Sequence, residues 1–336
     1  REELRITAKV RNDLTERESE SGGLVLPSDP LEDCCCRFLP EHFRMTGWAQ
    51  QRSRLSTCHS GLSFFPLSQN CTLATRGLRS QVVAWSSLEQ EQLMKKTDAL
   101  RFLLLQVRNP GDPMAQHEHE CFARALGCST DRIIVHDLLH TIPALEPLDQ
   151  VDMVLLGGSG DYSVAAGGEG LEGALEMMRE LYARAKPTFA SCWGFQAMAR
   201  AMGGEVVTNL EMAEVGTHWL TLTTEGTKDP VFGSLGERFS AQMGHQDIVV
   251  SLPDDAVLLA SSERVPNQAF RFRDKPIYCT QFHPELTRDG LVARVRNYPE
   301  YVQRITGLNL PEFIETTRET PEAEGILRRI LELFSS

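Results

Sequence analysis

No apolar run in the chain approaches the roughly 18–20 residues that a membrane-spanning helix requires. The longest clean stretch, residues 151–158, contains Asp152 and has the length of a buried strand. A basic segment followed by an apolar one, the mark of a secretory signal, is missing from the start, so the cytoplasm is the expected location. Basic runs are missing too. The net charge is −12, and residues 94–336 hold 23 Lys+Arg against 34 Asp+Glu. Nucleic-acid affinity rests on neutralising phosphates with Lys and Arg, so no nucleic-acid partner is expected. Nine cysteines are present, but Cys34, Cys35 and Cys36 are adjacent, which matches neither zinc-ligand spacing nor a disulfide framework. The thiols are read as reduced, and no metal is expected.

Residues 1–93 carry five of the nine cysteines and 11 of the 22 serines, without apolar periodicity that lasts for a whole element. At Met94 the composition changes, and a buried strand follows at 100–107. Met94 is therefore read as the natural start, with residues 1–93 as upstream sequence; a disordered or regulatory extension is the alternative.

From residue 99 on, strands alternate with helices, which predicts a parallel sheet covered on both faces. Strands are expected at 100–107, 132–136, 153–157 and 188–191. Helices are expected at 113–126 with Gly127 as the stop, at 171–185 before Lys186-Pro187, and at 193–202. The second half offers short strands at 215–224, 238–243, 256–261, 268–273 and 277–282, separated by turn residues, and so an antiparallel flank. Residues 287–306 and 321–334 read as helical, with Tyr298-Pro299 breaking the first. The expected division is a domain at 94–286 and a helical extension at 287–336.

Three segments carry chemistry. Cys192 lies where an apolar strand meets a helix, in Phe189-Ala190-Ser191-Cys192-Trp193-Gly194-Phe195-Gln196. A helix N-terminus offers unpaired N–H groups and a partial positive charge, which favour a thiolate. The bland reading is a small buried cysteine. His283 and Glu285 follow a strand in Gln281-Phe282-His283-Pro284-Glu285, and residues two apart on an extended chain face the same side. Glu285 can then hold the ring of His283 while His283 serves the sulfur; the alternative is a strand-end histidine capped by its neighbour. The loop Gly157-Gly158-Ser159-Gly160-Asp161 exposes backbone N–H groups but lacks the Gly-Lys-Ser/Thr ending of a phosphate loop. With no Lys or Arg nearby in sequence, an oxyanion suits it better than a polyphosphate.

Taken together, in this order and spacing, these segments resemble the class I (triad) glutamine amidotransferases, over about residues 99–286. The resemblance implies a doubly wound, mostly parallel α/β sheet. It also implies hydrolysis of the glutamine side-chain amide by Cys192, His283 and Glu285 through a γ-glutamyl thioester. It implies an oxyanion hole from the N–H groups of Gly158 and Trp193, a substrate contact from Gln196, and no cofactor. Met243-Gly244-His245-Gln246-Asp247 resembles the Ser-His-Gly-Asp stretch that lines the glutamine pocket in GMP synthetase amidotransferase domains. His245 and Asp247 are thereby substrate-binding candidates, and for His245 a role in ordering the loop is the alternative.

Two positions depart from the family pattern. Ala190 stands where a glycine usually precedes the nucleophile, which questions the strained elbow. Ser159 replaces a proline, which predicts a less rigid loop. Family members feed ammonia to a synthetase, and the residues after 286 are too few to form one. The protein is expected either to serve a separate synthetase subunit or to act alone as a γ-glutamyl peptidase or γ-glutamyl amide hydrolase.

Overall fold

The structure, a computed structural model, describes residues 99–138 and 146–335. The readings of residues 1–93 and of Met94 as the start lie outside the described residues.

Four apolar stretches form β1 (Phe102–Gln106), β2 (Ile133–Asp137), β3 (Met153–Leu156) and β4 (Thr188–Ser191). β1, β3 and β4 are buried along their whole length and are mostly apolar, as strands covered on both faces are. Between β1 and β2 lies α1 (Pro113–Leu126). Asp112 accepts a hydrogen bond from the Met114 N–H, proline opens the helix, and Gly127 closes it at φ 71°.

The remaining strands are β5 (Glu205–Thr208), β6 (Glu214–Leu222), β7 (Arg238–His245), β8 (Asp247–Ser251), β9 (Ala256–Ser262), β10 (Ala269–Phe272) and β11 (Ile277–Thr280). A nine-stranded sheet runs β2-β1-β3-β4-β11-β10-β9-β6-β7. From β2 to β11 the pairs are parallel, and from β11 to β7 antiparallel. The expected antiparallel flank is therefore continuous with the parallel core. β5 and β8 pair with each other in a small second sheet. That sheet was not predicted; β5 is partly exposed along its whole length and β8 at its end, so neither shows a long apolar run or a clear alternation.

The sheet sorts its apolar residues by alternation. Phe102, Leu104, Leu155 and Phe189 face Phe122 and Leu126 of α1 on one side. Leu103, Leu105, Val154, Leu156 and Ala190 face the other side, against α2 (Leu171–Ala183) and α3 (Trp193–Ala201).

The chain after residue 286 folds onto this frame as α4 (Arg288–Asn297), α5 (Pro299–Thr306), α6 (Leu310–Thr316) and α7 (Ile326–Phe334). Tyr298-Pro299 divides α4 from α5, as the proline predicts. α6 was not predicted, although Asn309 and Glu312 form a capping box at its start. α7 buries Ile326, Leu327, Ile330 and Leu331 in the same cluster as α1. Leu291, Val295, Val302 and Phe313 from α4–α6 pack with Cys121, Val215 and Leu286.

Candidate active site

β3, β4 and β11 are neighbouring parallel strands, with Leu156 beside Ala190 and Thr280 beside Ser191. The loop at 157–161, Cys192 and the segment 281–285 each follow directly, so they meet at the C-terminal edge of the sheet, where doubly wound folds bind ligands. Sequence positions more than a hundred residues apart converge because their strands end in register.

Cys192 adopts φ 52° and ψ −103°, a left-handed region that costs a non-glycine residue of order 1–3 kcal/mol. The elbow is therefore strained even with Ala190 in place of glycine. Gly194 permits the tight turn: a Cβ there would lie 2.6 Å from Leu156 Cβ and 3.2 Å from Ala190 Cβ. Cys192 is 5% exposed, and its Sγ contacts Gly244 O at 3.6 Å. Burial pushes the thiol of Cys121 up to about 11 and that of Cys279 well above its ordinary value.

His283 Nδ1 lies 2.6 Å from Glu285 Oε1. An ionised carboxylate can only accept, so Nδ1 carries a proton in either charge state, and Nε2 is the nitrogen left to gain or lose one. Burial alone would depress the His283 imidazolium. The Glu285 carboxylate and Cys192 outweigh burial and push it up to about 9. Burial likewise opposes the Glu285 anion, yet His283 and then Arg294 hold its carboxyl below the usual range.

The Gly158 N–H, expected to face an oxyanion, donates to Glu118 Oε1 at 3.1 Å. The Gly157 carbonyl on the same peptide accepts from the Gly194 N–H at 3.2 Å. In this conformation the Gly158 amide is already engaged. The Trp193 N–H opens α3 at the first helical position, where backbone donors have no intrahelical acceptor. Ser159 stabilises the loop by accepting from the Tyr162 N–H at 3.1 Å, a bond proline could not make.

Gln196, His245 and Asp247 line the same cleft as Cys192 and His283, and each also has protein partners. Gln196 Nε2 donates to Asp247 O at 3.0 Å and Gln281 Oε1 at 3.2 Å. The Asp247 carboxylate accepts from Ser163 Oγ and Thr208 Oγ1, both at 2.6 Å, and from the Ala165 N–H at 3.2 Å. His245 Nε2 lies 3.2 Å from Glu214 Oε2, and His245 Nδ1 has no hydrogen-bond partner among the described residues.

Three charged residues were not singled out from the sequence. Glu118, fully buried, accepts from Arg108 Nε and Nη2 at 3.1 Å each and from Gln106 Nε2 at 3.0 Å. Arg294 of α4 lies beside His283 and Glu285. The signal for Glu118 was present: with Met114, Cys121, Phe122 and Ala125 it falls on the buried stripe of α1, a place where charges are rare unless paired.

The cleft encloses about 590 Å³ and is also lined by Tyr298, Glu300, Tyr301 and Arg304 from the segment after 286. Arg304 Nη2 donates to Gln246 Oε1 at 2.8 Å. Tyr298 rests on the glycine loop, where a Cβ at Gly160 would lie 2.8 Å from its hydroxyl.

The family model described as glutamine amidotransferase class-I matches residues 119–290. A glutamine-hydrolyzing GMP synthase subunit from Methanothermobacter thermautotrophicus is 32% identical over 151 residues, 44% of this chain and 77% of that relative. The glutamine-hydrolyzing GMP synthase of Aliivibrio salmonicida is 38% identical over 107 residues, 31% of this chain but only 20% of that relative. Among solved structures, a glutamine amidotransferase from Thermotoga maritima is similar in fold, with a TM-score of 0.57 and 20% identity over 70% of this chain and 97% of that one.

Proposed function

Since the chain belongs to the class-I glutamine amidotransferases and is a glutamine-hydrolysing enzyme, we propose that Cys192, His283 and Glu285 perform that hydrolysis. The observation that carries the assignment is the His283–Glu285 contact of 2.6 Å beside a cysteine at a strained strand-to-helix turn. His283 Nε2 takes the thiol proton as Sγ attacks the carboxamide carbon of glutamine. The tetrahedral oxyanion meets the Trp193 N–H and the positive end of α3. As the C–N bond breaks, the nitrogen accepts the proton from His283 and leaves as ammonia, and a γ-glutamyl thioester remains. Water, deprotonated by the same Nε2, attacks the thioester carbon; the C–S bond breaks, and glutamate and the thiol are released. Gln196, His245 and Asp247 are assigned to holding the amino-acid end of the substrate.

The ammonia goes to an acceptor on a separate synthetase subunit in the first reading. The second, autonomous hydrolysis of a γ-glutamyl amide or peptide, is favoured by the cleft itself. Its volume of about 590 Å³ falls in the range of about 300–1,000 Å³ that suits drug-sized ligands, and α5 supplies part of its wall. The test is to assay purified protein on glutamine, γ-glutamyl peptides and γ-glutamyl polyamines, following ammonia and amine separately. Fast turnover of a larger amide by the protein alone selects the second reading. Glutamine hydrolysis that accelerates only with a synthetase selects the first. No hydrolysis of any of them, or full activity of Cys192→Ala, rejects the triad.

A further inference from the structure

Arg294 lies beyond the stretch that matches the family model and belongs to none of the three motifs. Its side chain is 11% exposed, and the guanidinium stands between two fully buried carboxylates that serve different halves of the site. Nη2 is 3.7 Å from Glu118 Oε1, whose carboxylate holds the Gly158 N–H, and 3.6 Å from Glu285 Oε1, which holds His283. Nη1 is 3.3 Å from His283 Nδ1. That nitrogen already gives its proton to Glu285, so it offers Arg294 no lone pair, and the attraction that holds Arg294 here is to the Glu285 carboxylate. Nε and Nη2 of Arg294 have no hydrogen-bond acceptor among the described residues. A guanidinium placed so, out of water and short of acceptors, is costly, and a purely structural use of the position would be better met by an apolar side chain.

We infer that Arg294 is a positioning residue of the glutaminase site, a single cation that sets both the His283–Glu285 pair and the Glu118 anchor of the glycine loop. The inference rests on the triad reading above. It makes the chain after residue 286 part of the catalytic unit as well as part of the packing.

The charges that face this point define what Arg294 does. α1 and the turn before it bring Glu118, His117, Cys121, Arg124 and Asp112. The end of β1 brings Arg108, the start of α3 brings Cys192, and β11 leads to His283 and Glu285. Tyr298 closes the side toward the cleft. Glu118, Asp112 and Glu285 thus meet two guanidiniums deep in the site, Arg108 and Arg294, with Arg124 at its rim. Without Arg294 the balance becomes more negative, and the Cys192–His283 pair gives up its proton less readily whichever of the two carries it.

The test uses the full chain with Arg294→Met and Arg294→Lys, measuring kcat and KM for ammonia release from glutamine across pH. Arg294→Met should lower kcat by about 10–100-fold, by analogy with the loss of an outer-shell partner of a metal ligand. KM should stay within about twofold, because the substrate is held elsewhere. The acid limb of the kcat/KM profile should move to higher pH. Arg294→Lys keeps the charge, so its acid limb should stay near that of the parent while kcat is intermediate. If Arg294→Met does not fold, Arg294→Gln against Arg294→Lys makes the same comparison. A neutral variant with the parent's kcat and acid limb overturns the inference, as does an equal loss in the neutral and lysine variants with no movement of the limb. Cys192→Ala separates the two levels. If it is inactive while the Arg294 variants behave like the parent, the triad stands and only this inference falls.

Discussion

The Cys192 N–H donates to Thr280 O at 2.8 Å. This bond continues the β4–β11 ladder one residue past the strand and puts Cys192 beside the chain that reaches His283 three residues later. The sheet thus sets the spacing of the proposed reacting pair, and rigid elements hold such a pair more closely than loops do.

Cys192→Ala should abolish amide hydrolysis and leave the fold intact, since the change removes one small buried atom. A glutamine-analogue electrophile should label Cys192 and spare Cys121 and Cys279, whose thiols burial keeps protonated. Mass spectrometry of the labelled protein and an ammonia assay check both halves.

His283→Asn removes the base and should cost several orders of magnitude in kcat. Glu285→Gln should cost less, because it removes orientation and charge while a base remains. Steady-state kinetics on glutamine decide the order; a larger loss for Glu285→Gln contradicts the assigned roles.

Glu118→Gln weakens a buried pair with Arg108 and leaves that guanidinium with Asp112 as its remaining anion. Breaking such a pair costs about 3–5 kcal/mol. Glu120→Gln, at an exposed residue that accepts from Gln116, should stay within about 0.5 kcal/mol. Urea denaturation of both variants measures the contrast.

Stability should fall as pH rises through the His283 transition. The folded protein holds the His283 proton up to about 9, against 6.5 for the ordinary group. Between these values the native state binds more protons than the unfolded one, so the contribution is complete below about 6.5 and is lost toward 9. Glu285 acts in the opposite direction, its contribution present at neutral pH and lost in acid. Melting temperatures across pH should show the alkaline slope in the parent and a shallower one in His283→Asn.

Ile330→Ala in α7 should cost about 2–5 kcal/mol, because Ile330 is fully buried in the cluster that α7 shares with α1. Loss of the whole helix should cause aggregation. A truncated chain without α7 that stays folded and monomeric would show that the helix is a docking face instead.

The sequence by itself determined the elements whose signals are local. α1 begins at Asp112-Pro113 and stops at Gly127 because capping and backbone sterics act within a turn. The buried strands were legible because both faces of the sheet are covered, and Cys192, His283 and Glu285 stood out as candidates because each closely follows such a strand. Only the tertiary structure decided which backbone donors are engaged and which charges meet. Gly158 and Glu118 are 40 residues apart, yet the loop's N–H is satisfied by that carboxylate. Arg294 reaches Glu118 from a helix 176 residues away in sequence. No local pattern encodes such pairs, because the energy of a buried charge depends on every neighbour brought to it by folding, and spacing along the chain says nothing of distance across it.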